Sequence, residues 1–264
     1  MAPMHNAIRL AVLGDPIGHS RSPAIHNAAL AHIGIRGRYE AIRAGATELS
    51  QAVAELRSGS LQGLNVTMPL KEEAARLADV LTAEASKSGS VNTLRRHDGL
   101  VEGHSTDVIA SRLAFSDHRF DASAPILILG AGGAAAAALV GAAGRVVFLS
   151  ARRDDRALAL ADRVGAEAGL IRFGTGVARA LVVNATPLGM GGEQLPGDVL
   201  GTASGIVDLA YGDETTPAVS AARDSGLPVM DGIEFLVLQA AASFEWWTGL
   251  VAPIEVMLEA ARKH

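Results

Sequence analysis

The chain contains no cysteine among its 264 residues. Disulfide bonds, thiolate metal ligands and a cysteine nucleophile are therefore excluded, which fits a cytoplasmic protein. The eight histidines do not occur in the HExxH pattern or in another spacing typical of zinc sites. We therefore expect no bound metal.

Charge of one sign is not concentrated anywhere along the sequence. The net charge is −5 without a block of like charges, which argues against nucleic acid or an anionic membrane as a partner. The segment MAPMHNAIRL has no basic region followed by an apolar core, so we expect no secretory signal. The uncharged stretch at 124–144 has the length of a membrane span, but it is mostly alanine and glycine, so we expect a buried strand, a turn and a helix.

Strand-like and helix-like segments alternate over a length that suits two domains. In the N-terminal part, helices are predicted to begin with a Ser22-Pro23 cap and with Thr47, and a hairpin is predicted to turn at Asp98-Gly99. The predicted strands lie at 7–14, 37–44, 63–68, 125–129, 145–150, 180–186 and 205–210, and the last two helices at 232–249 and 253–264. This alternation predicts an α/β protein with mainly parallel sheets.

A glycine-rich loop begins the second half of the chain. Gly130, Gly132 and Ala135 form the pattern G-x-G-x-x-A between a strand and a helix, and a second strand follows. This is the context of a dinucleotide-binding loop, because small residues let the backbone approach a pyrophosphate at a helix N-terminus. A glycine turn that only packs the helix on the strand is the alternative.

The end of the second strand of this unit indicates which dinucleotide is bound. An acidic residue that meets a free ribose 2′-hydroxyl usually lies about twenty residues after the first glycine. Here the chain has Ser150-Ala151-Arg152-Arg153 instead, and two guanidinium groups suit a 2′-phosphate, so we expect NADP. The following Asp154-Asp155 leaves NAD open as the cofactor. The alternative to a cofactor contact is that both arginines lie at a solvent-exposed helix start and bind no ligand.

The segment GLNVTMPLK at 63–71 places a lysine where a helix disfavours one. If a helix begins at Pro69, Lys71 lies in its first turn, where the dipole favours acids such as Glu72 and Glu73. Lys71 is therefore either an exposed residue or a residue held there to act on a ligand.

Other polar residues follow the ends of predicted strands, namely Ser20, Ser22, Asn65, Thr67, Asn92 and Asp107. Ligands of open α/β sheets bind outside the carboxyl ends of strands, so we expect these residues to share one crevice. Hydroxyls and amides suit a small polyol, and a cation with a carboxylate suits proton transfer. As alternatives, Ser22 and Thr67 cap helices, and Asp107 is only a first-turn acid.

Together these segments resemble one known family. The chain resembles the shikimate dehydrogenase family from about residue 10 to residue 241. The motifs that carry the resemblance occur in the order found in that family: GDPIGHSRSP, NVTMPLKEEA, SGSVNTL, STD, GAGGA, VNATPLGM and DGIEFLVLQA. The resemblance implies a substrate-binding α/β domain at 1–106, completed by C-terminal helices at 236–264, and a Rossmann-type NADP-binding domain at 107–235. It also implies NADP-dependent interconversion of 3-dehydroshikimate and shikimate, in the biosynthesis of chorismate and aromatic amino acids.

The resemblance also assigns roles to residues at the matching motif positions. Lys71 and Asp107 are implied as the catalytic acid–base pair, with the lysine beside the hydroxyl that becomes a carbonyl. The implied substrate contacts are Ser20, Ser22, Thr67, Asn92, Tyr211 and Gln239. The implied cofactor contacts are Gly130, Ala131, Gly132, Gly133, Ala134, Ser150, Arg152, Arg153, Leu209 and Gly232.

Two departures from the family pattern keep alternatives open. The usual Asn-Thr-Asp-Gly is replaced by Ser105-Thr106-Asp107-Val108, so a family member that uses NAD, quinate or another cyclic hydroxy acid is an alternative. The usual Asn-Arg-Thr is replaced by the segment at 150–153, which leaves open which arginine meets the phosphate. A non-catalytic sensor is a third hypothesis. The segment FEWWTG is compatible with internal packing or with a second copy, so monomer and homodimer both stay open.

Overall fold

The computed structural model of the protein describes residues 7–263. Most of the segment tested for a secretory signal, and the last residue of the predicted C-terminal helix, lie outside the described residues. Between residues 7 and 263, no helix is both long enough and apolar enough to cross a membrane. The uncharged stretch at 124–144 forms a strand and a helix, as predicted.

The described residues form an α/β fold with two six-stranded sheets, which confirms the predicted fold class. The strands are β1 Ile8–Gly14, β2 Gly37–Arg43, β3 Gly63–Val66, β4 Val80–Leu81, β5 Thr93–His97, β6 Leu100–His104, β7 Ile126–Leu129, β8 Val147–Ala151, β9 Gly169–Arg172, β10 Leu181–Asn184, β11 Gly205–Asp208 and β12 Val229–Met230. The helices are α1 Ser22–Ile33, α2 Ala46–Ser58, α3 Lys71–Leu77, α4 Ala83–Ser88, α5 Thr106–Phe115, α6 Gly133–Gly141, α7 Asp154–Val164, α8 Pro217–Asp224, α9 Gly232–Thr248 and α10 Ile254–Arg262.

The chain divides into two compact units. One contains the residues up to Ser86, Ser90–Thr106 and the chain from Val237 onwards. The other contains Lys87–Gly89 and Asp107–Leu236.

The sheet of the first unit has the strand order β2-β1-β3-β5-β6-β4. Strand β1 pairs in parallel with β2 and β3, whereas β5 is antiparallel to both β3 and β6. The β5–β6 hairpin turns at Asp98-Gly99, and both residues have positive φ, as the dipeptide predicts. Apolar residues of β3, α2 and the hairpin form the core on one face of this sheet.

The sheet of the second unit is entirely parallel, with the order β12-β11-β10-β7-β8-β9. Numbered within the unit, this is the order 6-5-4-1-2-3 of the doubly wound dinucleotide-binding fold. All four residues of β7, β10 and β11 are buried, because helices cover both faces of a parallel sheet.

Three predicted helix starts are wrong by one or two residues. Helix α1 already includes Ser22, its N-cap is Arg21, and no side chain caps it. Helix α2 is capped by Gly45 and not by Thr47, since the Glu48 carboxylate accepts a hydrogen bond from the Gly45 amide. Helix α3 begins at Lys71 and not at Pro69, because the preceding residues form a turn closed by the Leu70 amide on the Thr67 carbonyl.

Candidate active site

The predicted substrate residues of the first unit lie at one edge of its sheet. Strands β1, β3 and β6 run in the same direction, and their carboxyl ends precede Ser20, Thr67 and Thr106. The antiparallel strand β5 begins at this same edge, directly after Asn92. The topology thus brings together residues that are up to about ninety positions apart in the sequence.

The hydroxyls of Ser22 and Thr67 are not helix caps. Helices α1 and α3 have no side-chain cap hydrogen bond, so this structural alternative is wrong for both residues. Ser22 is almost fully buried and Thr67 is half-buried, and neither hydroxyl is hydrogen-bonded to any residue between 7 and 263. The nearby Ser20 hydroxyl accepts only a long hydrogen bond of 3.4 Å, from the Ser22 amide. These three hydroxyls are therefore suited to a ligand.

The amides of Asn92 and Gln239 meet at the same edge. The Asn92 Nδ2 atom donates to Gln239 Oε1 at 3.2 Å, and Asn92 Oδ1 accepts from the Thr106 amide at 2.8 Å. Both side chains are more than nine-tenths buried. The structure thus joins a predicted substrate residue before β5 to another on α9, which belongs to the distant C-terminal part of the chain.

The predicted catalytic pair lies at two helix starts. Lys71 is the first residue of α3 and is half-buried, and its backbone carbonyl accepts from the Val91 amide at 3.1 Å. Asp107 lies in the first turn of α5 and is 7% exposed. A first-turn acid is stabilised by the helix dipole, so its position fits the structural alternative as well as the catalytic role.

The glycine loop of the second unit fits a bound pyrophosphate. Gly130 has φ +117°, and a Cβ there would lie 2.9 Å from the Ala185 carbonyl oxygen, so only glycine suits this turn. Gly132 is the exposed N-cap of α6, and it has no side chain to occupy the first N–H groups of the helix. Ala131, Gly133 and Ala134 are half-buried, whereas Ala135 is fully buried, which allows close packing of the helix on the sheet.

The segment after β8 separates the two candidate arginines. The Arg153 guanidinium forms an ion pair with Asp155, with Nη2 and Oδ2 2.6 Å apart. Arg152 is exposed and has no hydrogen bond or ion pair with any residue between 7 and 263. Ser150 is fully buried at the end of β8, and its hydroxyl donates to the Arg172 carbonyl at 3.3 Å. Arg152 is therefore the residue best suited to hold a 2′-phosphate.

The loops after β10 and β11 are joined by the buried carboxylate of Asp208. It accepts from the Thr216 hydroxyl at 2.6 Å, from Asn184 Nδ2 at 2.8 Å and from the Ala210 amide at 3.1 Å. Burial raises the pKa of this carboxyl, while the hydrogen bonds from Thr216 and Asn184 oppose the rise. The carboxylate thus fixes the two loops that carry the motifs NATPLG and DLAY.

The remaining predicted residues lie after β11. Leu209 and Tyr211 are half-buried in the loop that Asp208 holds. A Cβ on Gly232 would lie 2.2 Å from the Ala210 carbonyl oxygen, so the close approach of α9 to this loop explains the glycine. A cofactor contact is therefore not needed to account for this residue.

The two departures from the family pattern concern buried side chains. Val108 is fully buried and packs with Ala137 and Val140 in an apolar cluster of the second unit. Ser105 is also fully buried, and its hydroxyl has no hydrogen-bond partner among residues 7–263. Both substitutions therefore change internal packing.

Sequence reasoning did not find several polar residues of these sites. Thr93, Thr106, Ser243, Asn184 and Asp208 are all at most 1% exposed. Thr106 and Asn184 lie within the recognised motifs, but no role was predicted for them. Ser243 lies in an apolar helix. The one signal for it in the sequence is that a polar residue stands on a helix face that is otherwise apolar and buried.

Comparison with known proteins shows similarity over nearly the whole chain. The model of the shikimate dehydrogenase substrate binding domain matches residues 12–94, and that of the shikimate 5'-dehydrogenase C-terminal domain matches residues 232–262. A protein of Anaeromyxobacter sp. (strain Fw109-5), named shikimate dehydrogenase (NADP(+)), is 39% identical and covers 95% of this chain and 94% of its own.

Two solved structures are similar as well. Shikimate 5-dehydrogenase from Thermus thermophilus, in complex with NADP(H) and shikimate, has a TM-score of 0.86 and 36% identity, covering 97% of this chain and 99% of its own. The enzyme from Listeria monocytogenes, in complex with shikimate and NAD, has a TM-score of 0.81 and 27% identity, covering 96% of each chain. The glycine loop, the polar sheet edge and this similarity lead to one conclusion: the chain belongs to the shikimate dehydrogenase family.

Proposed function

We propose that this protein is an NADP-dependent shikimate dehydrogenase that interconverts 3-dehydroshikimate and shikimate in aromatic amino-acid biosynthesis. The observation that carries the proposal is the sheet edge of the first unit. There the hydroxyls of Ser22 and Thr67 are not used by the fold, and they lie at the edge where β5 begins after Asn92. The similar proteins are named for this activity.

The substrate is held by polar groups that match its chemistry. Shikimate is a small ring that carries hydroxyls and one carboxylate. Hydroxyl side chains both donate and accept hydrogen bonds, so Ser20, Ser22 and Thr67 suit the carboxylate and a ring hydroxyl. The amides of Asn92 and Gln239 are assigned to ring hydroxyls, and Tyr211 is assigned as a further contact.

The proton transfer is assigned to Lys71 and Asp107. Oxidation of an alcohol removes a hydride from carbon and a proton from oxygen, so a group that accepts this proton is required. The neutral amine of Lys71 is assigned to accept the proton of the reacting hydroxyl, becoming the ammonium that returns it in the reverse reaction, and Asp107 is assigned to share this proton transfer. General acid–base groups of this kind contribute about 10²–10⁴-fold in rate.

The residues of the second unit fit NADP. The backbone at Gly130, Gly132 and Gly133 is assigned to the pyrophosphate, at the N-terminus of α6. Arg152 is assigned to the 2′-phosphate, and Leu209 to the nicotinamide end. When bound, the nicotinamide supplies the hydride chemistry, and the protein positions the reacting groups.

The test is turnover by the purified protein and by two lysine variants. Rates are measured with shikimate and with quinate, each with NADP and with NAD. We expect rapid turnover with shikimate and NADP, and we expect Lys71→Ala to lower kcat at least about 10²-fold with little change in KM. The matched control is Lys263→Ala, an exposed lysine after α10 whose loss should leave the rate unchanged. Rapid turnover by Lys71→Ala would remove the lysine from the mechanism.

The four substrate and cofactor combinations also test the alternatives. Preference for quinate or for NAD would identify a different member of the family. Cofactor binding without turnover in any combination would support a sensor. Val108 packs in an apolar cluster of the second unit, so it does not offer a side chain that selects another substrate directly.

A further inference from the structure

A group of three hydroxyls lies buried between the strands of the first unit and α9. This hydroxyl cluster consists of Thr93, Thr106 and Ser243, and each residue is fully buried. The Ser243 Oγ atom lies 2.9 Å from Thr93 Oγ1 and 3.1 Å from Thr106 Oγ1. The cluster contacts Asn92, and Ser243 follows Gln239 by one helical turn, so it lies directly behind two predicted substrate contacts.

Backbone groups fix the orientation of the two amides next to the cluster. The atom of Asn92 that faces the Thr106 amide must be Oδ1, because a backbone N–H only donates. The other end of Asn92 is therefore Nδ2, and the Gln239 atom that it meets must be Oε1. The far end of the Gln239 amide is then its Nε2 group, a donor that suits a substrate oxygen.

Ser243 completes this arrangement because its oxygen is an acceptor shared by Thr93, Thr106 and Asn65 Nδ2, the last at 3.1 Å. Its own hydroxyl donates to the Gln239 carbonyl at 3.0 Å, so its oxygen is left to accept from Thr93 and Thr106. The Thr106 oxygen accepts from Asn92 Nδ2 at 2.9 Å, and the hydroxyl hydrogen of Thr106 is then directed to Ser243.

A second branch of this hydrogen-bond network, which starts at Tyr39, reaches the cluster through Asn65. The Tyr39 hydroxyl donates to Asn65 Oδ1 at 2.7 Å, and Asn65 Nδ2 donates to the Asn92 carbonyl and to Thr93 Oγ1, each at 2.9 Å. The Thr93 hydroxyl hydrogen is therefore also directed to Ser243. In this assignment each donor hydrogen of the cluster, of Asn65 and of the Asn92 side chain has an acceptor, and the Ser243 oxygen serves both threonines, as buried polar groups require.

We propose that Ser243 is a positioning residue for the substrate, because its hydroxyl group links the threonines next to Asn92 to the turn of α9 that carries Gln239 and so holds the two oriented amides in place. The inference rests on the proposed function, in which these two amides contact shikimate. Without the Ser243 oxygen, the Thr93 and Thr106 hydroxyls lose their common acceptor and turn toward the oxygen of Asn92, which lies 3.3 Å and 3.2 Å from them. The Thr106 amide still requires Asn92 Oδ1, so the amide pair keeps its orientation but loses the hydrogen bonds that hold it to α9 through Ser243.

The first test compares Ser243→Ala with a control on the same helix. Thr248→Val removes a hydroxyl that also donates to the carbonyl four residues earlier, at 2.7 Å, but does not touch the cluster. We expect Ser243→Ala to raise the KM for shikimate about tenfold, because an oriented buried hydrogen bond is lost. The KM for NADP should stay within about twofold, and Thr248→Val should change neither value.

Each result of this comparison has one meaning. An unchanged KM for shikimate in folded Ser243→Ala, beside an active wild-type protein, would overturn the role of Ser243 alone. Equal rises in the KM for shikimate and the KM for NADP would indicate a general loss of structure and would also overturn it. A wild-type protein that does not oxidise shikimate would instead overturn the proposed function.

Two further measurements test the inference independently of the KM of Ser243→Ala. The side-chain NH₂ signals of Asn92 and Gln239, recorded by two-dimensional NMR without substrate, should shift in Ser243→Ala and not in Thr248→Val. If Ser243→Ala does not fold, Tyr39→Phe removes the first donor of the second branch and should raise the KM for shikimate about threefold. Unshifted signals, or an unchanged KM in Tyr39→Phe, would contradict the inference.

Discussion

His26 should make the first unit lose stability as the pH falls below neutral. The ring is fully buried in α1, stacked on Tyr39 with a centroid distance of 4.3 Å and tilted against Trp247 at 5.4 Å. Neither ring nitrogen has a hydrogen-bond partner among residues 7–263. Burial therefore lowers the pKa of His26 from 6.5 to about 3.

The sign and size of the effect follow from this shift. Below pH 6.5 the unfolded chain binds a proton at His26, whereas the folded protein stays neutral there down to about pH 3. The stability contribution is thus complete above pH 6.5 and is lost as the pH falls toward 3, by about 1.4 kcal/mol per pH unit. Between about pH 7.5 and about pH 5, His26 should therefore cost about 2 kcal/mol of unfolding free energy.

The assay is urea unfolding of the wild-type protein and of His26→Phe at these two pH values. Phenylalanine keeps an aromatic ring on Tyr39, and its packing cost is the same at both pH values, so it cancels from the difference. Tryptophan fluorescence reports on the correct unit, because both tryptophans of the chain, Trp246 and Trp247, lie in the part of α9 that belongs to it. The wild-type protein should lose about 2 kcal/mol more than the variant.

The control for this measurement is His32→Gln. His32 lies in the last turn of the same helix but its side chain is exposed, so its replacement should leave the pH dependence unchanged. Equal losses in the wild-type protein and in His26→Phe would mean that the folded protein accommodates a charged His26, and the reasoning from burial would be refuted.

Two further predictions concern the second unit. Arg152→Ala should raise the KM for NADP at least about tenfold and leave the KM for NAD nearly unchanged. Arg153→Ala should change either KM by less than about threefold, because Asp155 already holds the Arg153 guanidinium. Steady-state kinetics with both cofactors would contradict the assignment if the two variants behaved alike. Asp208→Asn should lower the unfolding free energy by about 1–3 kcal/mol, since an amide cannot accept from all three donors; unchanged urea unfolding would refute the loop-fixing role of the carboxylate.

Local chemistry explains which structural predictions succeeded. The Asp98-Gly99 turn and the G-x-G-x-x-A loop each depend on a few adjacent residues with restricted backbone choices, and the structure confirms the hairpin turn and the strand–loop–helix order. By contrast, β9 is an edge strand with mostly exposed side chains, and β12 has two residues, so neither has an apolar pattern that predicts it. Edge strands are specified by the neighbouring strand more than by their own sequence.

The same distinction between local and long-range determinants applies to the polar residues of the candidate site. Ser22 and Thr67 are predicted as ligand contacts because they stand in motifs. Ser243 instead forms a hydrogen bond with a strand residue about 150 positions away in the sequence. A hydroxyl residue in an apolar helix has the same local pattern whether it bonds to strands, as Ser243 does, or only to its own end of the helix, as Thr248 does.

The orientation of an amide is the clearest property that no sequence pattern specifies. Asn65 and Asn92 are the same residue type, yet each is oriented by a backbone group of a partner that only the fold supplies. A carbonyl faces Asn65 and requires its nitrogen there, whereas an N–H faces Asn92 and requires its oxygen. Because Gln239 takes its orientation from Asn92, the far end of its amide is set as the donor by the Thr106 amide at the start of α5. In the proposed function, substrate recognition at this edge therefore depends on backbone geometry as much as on the residues that the motifs name.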